Sequence, residues 1–141
     1  MQHSTNYVNS FITVAEDCPA NNGTVPPIKD RIKSIAQLQF DLLYNNPYKY
    51  TSDELLLTVQ VTRKEIGKNE VEDARNELFS KGQACLRASP LATLYGWGIH
   101  HNEESKVAVI SVGIQEYELK IGDQQLTKIP AMRSKKQSRL S

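Results

Sequence analysis

No stretch of this 141-residue chain approaches the roughly 18 or more consecutive apolar residues that a membrane-spanning helix needs. The longest dense apolar run, Val107 to Val112, is short and contains Ser111. Cysteine is scarce: Cys18 and Cys85 lie 67 positions apart, too sparse a pair for the disulfide framework of a small secreted domain. Met1 to Ser10 is polar and lacks the basic start and apolar core of an export signal, so a cytoplasmic protein with reduced thiols is expected. None of the seven glycines falls in a Gly-x-Gly-x-x-Gly, P-loop or Gly-x-Ser-x-Gly pattern, which removes the usual evidence for the major nucleotide-binding and hydrolase classes. Internal repeats and low-complexity tracts are missing as well. Excess charge is also lacking, since 17 Lys and Arg face 16 Asp and Glu, and a net +1 argues against the strongly basic body of a dedicated nucleic-acid binder.

What remains is an ordinary globular composition, 39% apolar and 23% charged, long enough for one hydrophobic core. Tyr7 to Ala15 is rich in β-branched and aromatic residues and predicts a first strand. Asn21 to Pro27, with its asparagines, glycine and Pro-Pro pair, is a loop. Ser34 is placed to cap a helix over about 33–45, with Ile35, Leu38, Leu42 and Leu43 at helical spacing and Asn45-Asn46-Pro47 ending it. Thr51-Ser52-Asp53-Glu54 resembles a helix start, but Leu55, Leu57, Val59 and Val61 alternate with Leu56, Thr58, Gln60 and Thr62, and this period of two predicts a strand over 55–63. A second helix is expected over about 70–80, and a short strand over 83–89, limited by Pro90. Trp97 to His101 and Lys106 to Val112 form a hairpin candidate joined by Asn102 to Ser105. Its second arm is apolar on both faces, as a central strand would be. Ile114 to Ile121 fits either periodicity and is expected as a short helix, followed by a last strand over 126–132.

The expected fold is therefore α+β, a largely antiparallel sheet covered on one side by the two longer helices. Residues 1–136 form the domain and residues 137–141 a basic disordered tail. Charge is segregated along the chain. Lys128, Arg133, Lys135, Lys136 and Arg139 occur without an acid from 128 onward, so the net +1 combines a body of −4 with a terminal segment of +5. Such a segment could attach to a polyanion or protein partner, or simply solubilise the terminus.

Candidate chemistry is thin. Glu16 and Asp17 beside Cys18 disfavour its thiolate. On an extended 83–89, Gln83, Cys85, Arg87 and Ser89 share a face, and Arg87 would favour the Cys85 thiolate, with His100 as the nearest candidate base. Otherwise Cys85 is a small buried residue and Arg87 a structural partner. His100 and His101 point to opposite strand faces and cannot grip one metal together, so no metal and no cofactor is expected. Gly96-Trp97-Gly98 allows close backbone approach around an indole that either packs in the core or floors a pocket. Tyr48 and Tyr50, in the connection Asn46 to Ser52, are either binding groups or a cover for the core's end.

Five strings carry a family resemblance: Phe11-Ile12-Thr13-Val14-Ala15-Glu16-Asp17-Cys18-Pro19; Asn46-Pro47-Tyr48-Lys49-Tyr50-Thr51-Ser52-Asp53; Lys81-Gly82-Gln83 with Cys85, Arg87, Ser89, Pro90 and Leu91; Tyr95-Gly96-Trp97-Gly98-Ile99-His100; and Ala131-Met132-Arg133-Ser134-Lys135. In this combination the chain resembles a family of small microbial single-domain proteins known only as a domain of unknown function. The resemblance implies a cytosolic single domain, brings no activity with it, and draws Met132 to Lys135 into the domain's own pattern. Several of these residues are polar for core signatures. Lys81, Gln83, Arg87, Ser89, Tyr95, Trp97 and His100, joined by Arg133, could converge on one surface suited to a small anionic or nucleotide-like ligand. The expectation is a binding module, with a small enzyme using Cys85 or His100 and an adaptor acting through the basic segment as the alternatives. In a chain this short the pocket would be shallow or shared with a second subunit, which leaves a homo-oligomer open.

Overall fold

The computed structural model describes residues 4–28, 33–82 and 85–133. Four strands, β1 (Ser10–Thr13), β2 (Trp97–His101), β3 (Val107–Ser111) and β4 (Thr127–Pro130), form one mixed sheet in the order β3-β2-β1-β4. The pairs β2/β3 and β1/β2 are antiparallel, whereas β4 runs parallel to β1 with Ile12 opposite Ile129. The helices are α1 (Ile35–Asn45), α2 (Ser52–Arg63), α3 (Val71–Phe79), α4 (Pro90–Thr93) and α5 (Gln115–Gly122). The fold is α+β. Most elements lie where periodicity puts them, including α5, which takes the helical of its two periodicities.

Alternation of side chains along the strands separates two apolar clusters. Ile12, Trp97, Ile99 and Val107 meet Phe40 and Leu43 of α1, Leu55 and Val59 of α2, and Leu86 and Leu91 around α4. On the opposite face Phe11 and Ile110 meet Tyr117 of α5 and Leu126. Helices therefore cover both faces of the sheet, not one. The helix expected over 70–80, α3, packs chiefly on α2.

The expected strand over 55–63 is the helix α2. The Thr51 hydroxyl accepts from the Glu54 backbone N–H at 3.1 Å, and the Glu54 carboxylate accepts from the Thr51 N–H at 2.9 Å, closing a capping box. Asp53 and Glu54 in the first turn and Arg63 in the last complement the helix dipole. The alternating pattern misleads because α2 packs against α1 on one side and α3 on another. Its apolar residues are spread around the helix rather than along one stripe.

The expected strand over 83–89 is also absent from its described part. Leu86–Ala88 form a single 3₁₀ turn, and Ser89 then caps α4 by accepting from the Leu91 N–H at 3.2 Å. Pro90 takes the first helical position, where a missing N–H costs nothing. A further correction concerns β3, which lies at the sheet edge. Its two apolar faces are explained by α1 on one side and α5 on the other, not by central position.

Removing the capping hydroxyl by Thr51→Ala should lower stability by about 1 kcal/mol in urea unfolding. An unchanged midpoint would mean that packing alone sets the start of α2.

Candidate functional site

A cavity of about 630 Å³ opens between α1, α2, α3 and the segment Cys85–Pro90, all within one chain. This is the size of ordinary small-molecule sites. Its walls are largely aliphatic, with Ile35, Leu56, Val59, Leu78 and Leu86 lining them. From α2 the lining residues are Leu56, Val59, Gln60, Arg63 and Lys64, spaced as one face of a helix. Arg63 and Lys64 are exposed at the end of α2. They are the charged residues of the lining, which holds no acid, and among the described residues neither makes an ion pair.

Two polar contacts sit within these apolar walls. Ser89 and Gln39, both almost fully buried, are joined by a 2.6 Å hydrogen bond from the Ser89 hydroxyl to the Gln39 side-chain oxygen. Cys85 Sγ accepts from the Tyr7 hydroxyl at 3.4 Å. Donation to sulfur, with burial, pushes the Tyr7 pKa up, while Arg87 pulls it down. Behind Cys85, the Tyr7 ring stands perpendicular to the His101 ring at 5.3 Å.

His101 is completely buried, and among the described residues neither ring nitrogen has a hydrogen-bond partner. Desolvation pushes its pKa down to about 4, opposed only in part by the nearby Ile99 backbone. The neighbouring His100 points to the α5 face, as alternation requires, where its Nδ1 lies 2.8 Å from the Tyr48 hydroxyl. Burial lowers the His100 pKa, Lys120 pushes the same way and Asp123 opposes.

The residues expected to converge are dispersed. Of that set Ser89 lines the cavity. Arg87 donates through Nε to the Pro130 carbonyl at 2.8 Å, fastening the end of β4. Trp97 is a core residue: its Nε1 donates to the Thr24 carbonyl at 2.8 Å, and its ring meets Phe40 and Tyr44. Tyr95 packs against the main cluster, and Lys81 is exposed just beyond α3. Arg133 pairs with Glu16, and Lys128 donates to the carbonyls of Asp123 and Leu126, so two cations of the basic segment are held by the domain itself. Gln83 and residues 134–141, including Lys135, Lys136 and Arg139, lie outside the described residues. Cys85 and His100 are on opposite sides of the sheet, so this histidine cannot serve that thiol. Tyr50 covers the end of the core, and Tyr48 is paired with His100.

Gln60, Arg63 and Lys64 escape the sequence reading because α2 as a strand would scatter its side chains to two faces, and Gln39, on the correctly expected α1, escapes it because nothing in the sequence brings that helix to Ser89. The signal that could have found them is the stripe Leu56, Gln60, Arg63 and Lys64, legible once the Thr51 capping box outweighs the alternation.

A family model described as a family of unknown function, DUF6157, matches residues 2–137. No curated protein and no solved structure matches the chain.

The buried imidazole has a measurable consequence. Its folded pKa of about 4 lies below the unfolded value near 6.5, so its neutral form supports the fold fully above that value. This support is lost as the pH falls from about 6.5 toward 4, by roughly 2–3 kcal/mol. In His101→Phe the loss of stability between about pH 7 and pH 4.5, read from urea unfolding, should be smaller than in the wild type by that amount. Equal losses would show that His101 does not titrate in this way.

Proposed function

For a chain that belongs to this family of unknown function, DUF6157, we propose a binding module that holds a small amphipathic anion in the cavity between α1, α2, α3 and Cys85–Pro90. The observation that carries this reading is the pairing of aliphatic walls with a charged lining that is solely cationic. Each methylene moved from water to such walls gains about 0.8 kcal/mol. A carboxylate or phosphate left near Arg63 and Lys64 keeps its hydration and gains charge-assisted hydrogen bonds. The aliphatic walls favour a hydrocarbon or aryl body over a ribose. Compared with the ligand expected from sequence, the anion is retained, while the residues that would meet it move to the end of α2.

An enzyme using Cys85 has less to rest on. The hydrogen-bond partner of its sulfur among the described residues is a phenol, and a thiol nucleophile needs a base.

Undecanoate, a carboxylate with an apolar chain, should raise the thermal midpoint, with the shift growing with concentration as expected for a ligand of the native state. Undecylamine, of equal length and opposite charge, should not. Replacing both cations, Arg63→Glu with Lys64→Glu, should weaken undecanoate at least about tenfold, on the order of 1.4 kcal/mol, in calorimetric titration. No shift with undecanoate, or an equal shift with the amine, would overturn the proposal.

A further inference from the structure

Gln39 is an expensive residue for its position. It is 3% exposed on the inner face of α1, and it lines a cavity whose walls are otherwise mainly aliphatic. A leucine there would need no partner, whereas a buried primary amide brings an acceptor oxygen and two N–H donors that must be satisfied.

Its oxygen is accounted for. The Ser89 hydroxyl accepts from the Leu91 N–H at the start of α4, which leaves its own proton to be donated, and this goes to the Gln39 oxygen at 2.6 Å. That bond has the amide oxygen, not the nitrogen, facing Ser89. The amide nitrogen is therefore turned away from Ser89; no hydrogen bond joins it to another described residue, and it is not among the side-chain atoms sealed from solvent without a partner, so it is left open to a ligand. Gln39 thus brings a pair of donors to the wall of the cavity, while the cations stand at its exposed end.

We infer that Gln39, oriented by Ser89, is a specificity-determining residue that receives a neutral carbonyl oxygen on the body of the ligand. The ligand class is then a carboxylate carrying an amide or keto oxygen within its apolar chain, not a plain hydrocarbon acid. This rests on the ligand-binding reading of the cavity and narrows it. The discrimination is strong in principle, because a site built to hydrogen-bond an oxygen leaves its own donors unpaired with a ligand that lacks one. The same oxygen, without a donor to meet it, would be stripped of water for nothing.

N-octanoylglycine and undecanoate have chains of equal length and the same terminal carboxylate, and differ in the internal amide. Calorimetric titration of the wild-type protein should give a dissociation constant about tenfold lower for N-octanoylglycine. In Gln39→Leu, with folding checked by thermal unfolding, undecanoate should bind as well or better and the preference should reverse. Ser89→Ala, which releases the amide, should bring the two constants closer together. The wild-type comparison decides the matter even if Gln39→Leu fails to fold. Wild-type protein that binds both probes but prefers undecanoate overturns the role of Gln39 and leaves the amphipathic-anion reading intact. A folded Gln39→Leu variant that keeps the wild-type preference does the same. Binding of neither probe overturns both.

Discussion

The structure depends on the double burial of β1. This four-residue strand is hydrogen-bonded on both edges, by β2 on one side and β4 on the other, and buries Ile12 in one apolar cluster and Phe11 in the other. Both side chains are completely buried. A one-residue slip would exchange them, placing a phenylalanine among the residues around α1 and α4 and an isoleucine against Tyr117. Gly98 enforces the same register from the neighbouring strand, because a Cβ there would lie 2.5 Å from the Phe11 ring and 2.7 Å from the Tyr117 ring. The Tyr117 hydroxyl then accepts from the Val14 N–H at 3.0 Å, closing the α5 side over the strand's end.

The cavity follows from what is attached to that strand. Beyond β1, the Ala15 N–H donates to the Ala92 carbonyl, which places α4 against the main cluster and brings Ser89 toward Gln39. The segment before α4 is fixed from the other edge of the sheet. Arg87 gives its Nε to the Pro130 carbonyl, and its own carbonyl accepts from the Met132 N–H. Pro130 has no N–H to offer an incoming strand, and with its carbonyl occupied this end of the short edge strand is closed to pairing. A residue that sequence reasoning made a ligand contact is thus a clasp holding one wall of the cavity to the sheet.

Among the helices, legibility in the sequence tracked how one-sided the burial of each is. β1, α1, α3 and the hairpin were legible from composition and spacing, and α5 lay within reach of it. α2 was not, because it packs on more than one side, and a helix covered on several sides loses its stripe. Its capping box carried the correct information in four residues. Ser89-Pro90 carried similar information, as a cap followed by the first helical position, but it reads equally as the end of a strand. β3 shows the converse: apolar residues on both faces report cover from two sides and say nothing of central position. The candidate site inherited these errors. Ser89 and Cys85 could be named from their neighbourhood, whereas Arg63 and Lys64 join the cavity lining only when α2 is a helix, and Gln39 meets Ser89 through packing of α1 that the sequence does not display.

Charge was the least transparent property. The balance of 17 basic and 16 acidic residues conceals a basic C-terminal segment, yet that segment's cations within the described residues are engaged by the domain itself. The cations proposed to meet an anion are instead those at the end of α2, inside a body whose own net charge is negative. Near Arg63 and Lys64 only neighbouring charges count, because contributions from exposed groups fade beyond about 8–10 Å at physiological salt. In the proposed reading, recognition of an anion is consequently a local matter, set by where α2 ends relative to the aliphatic walls and not by the sign of the whole chain.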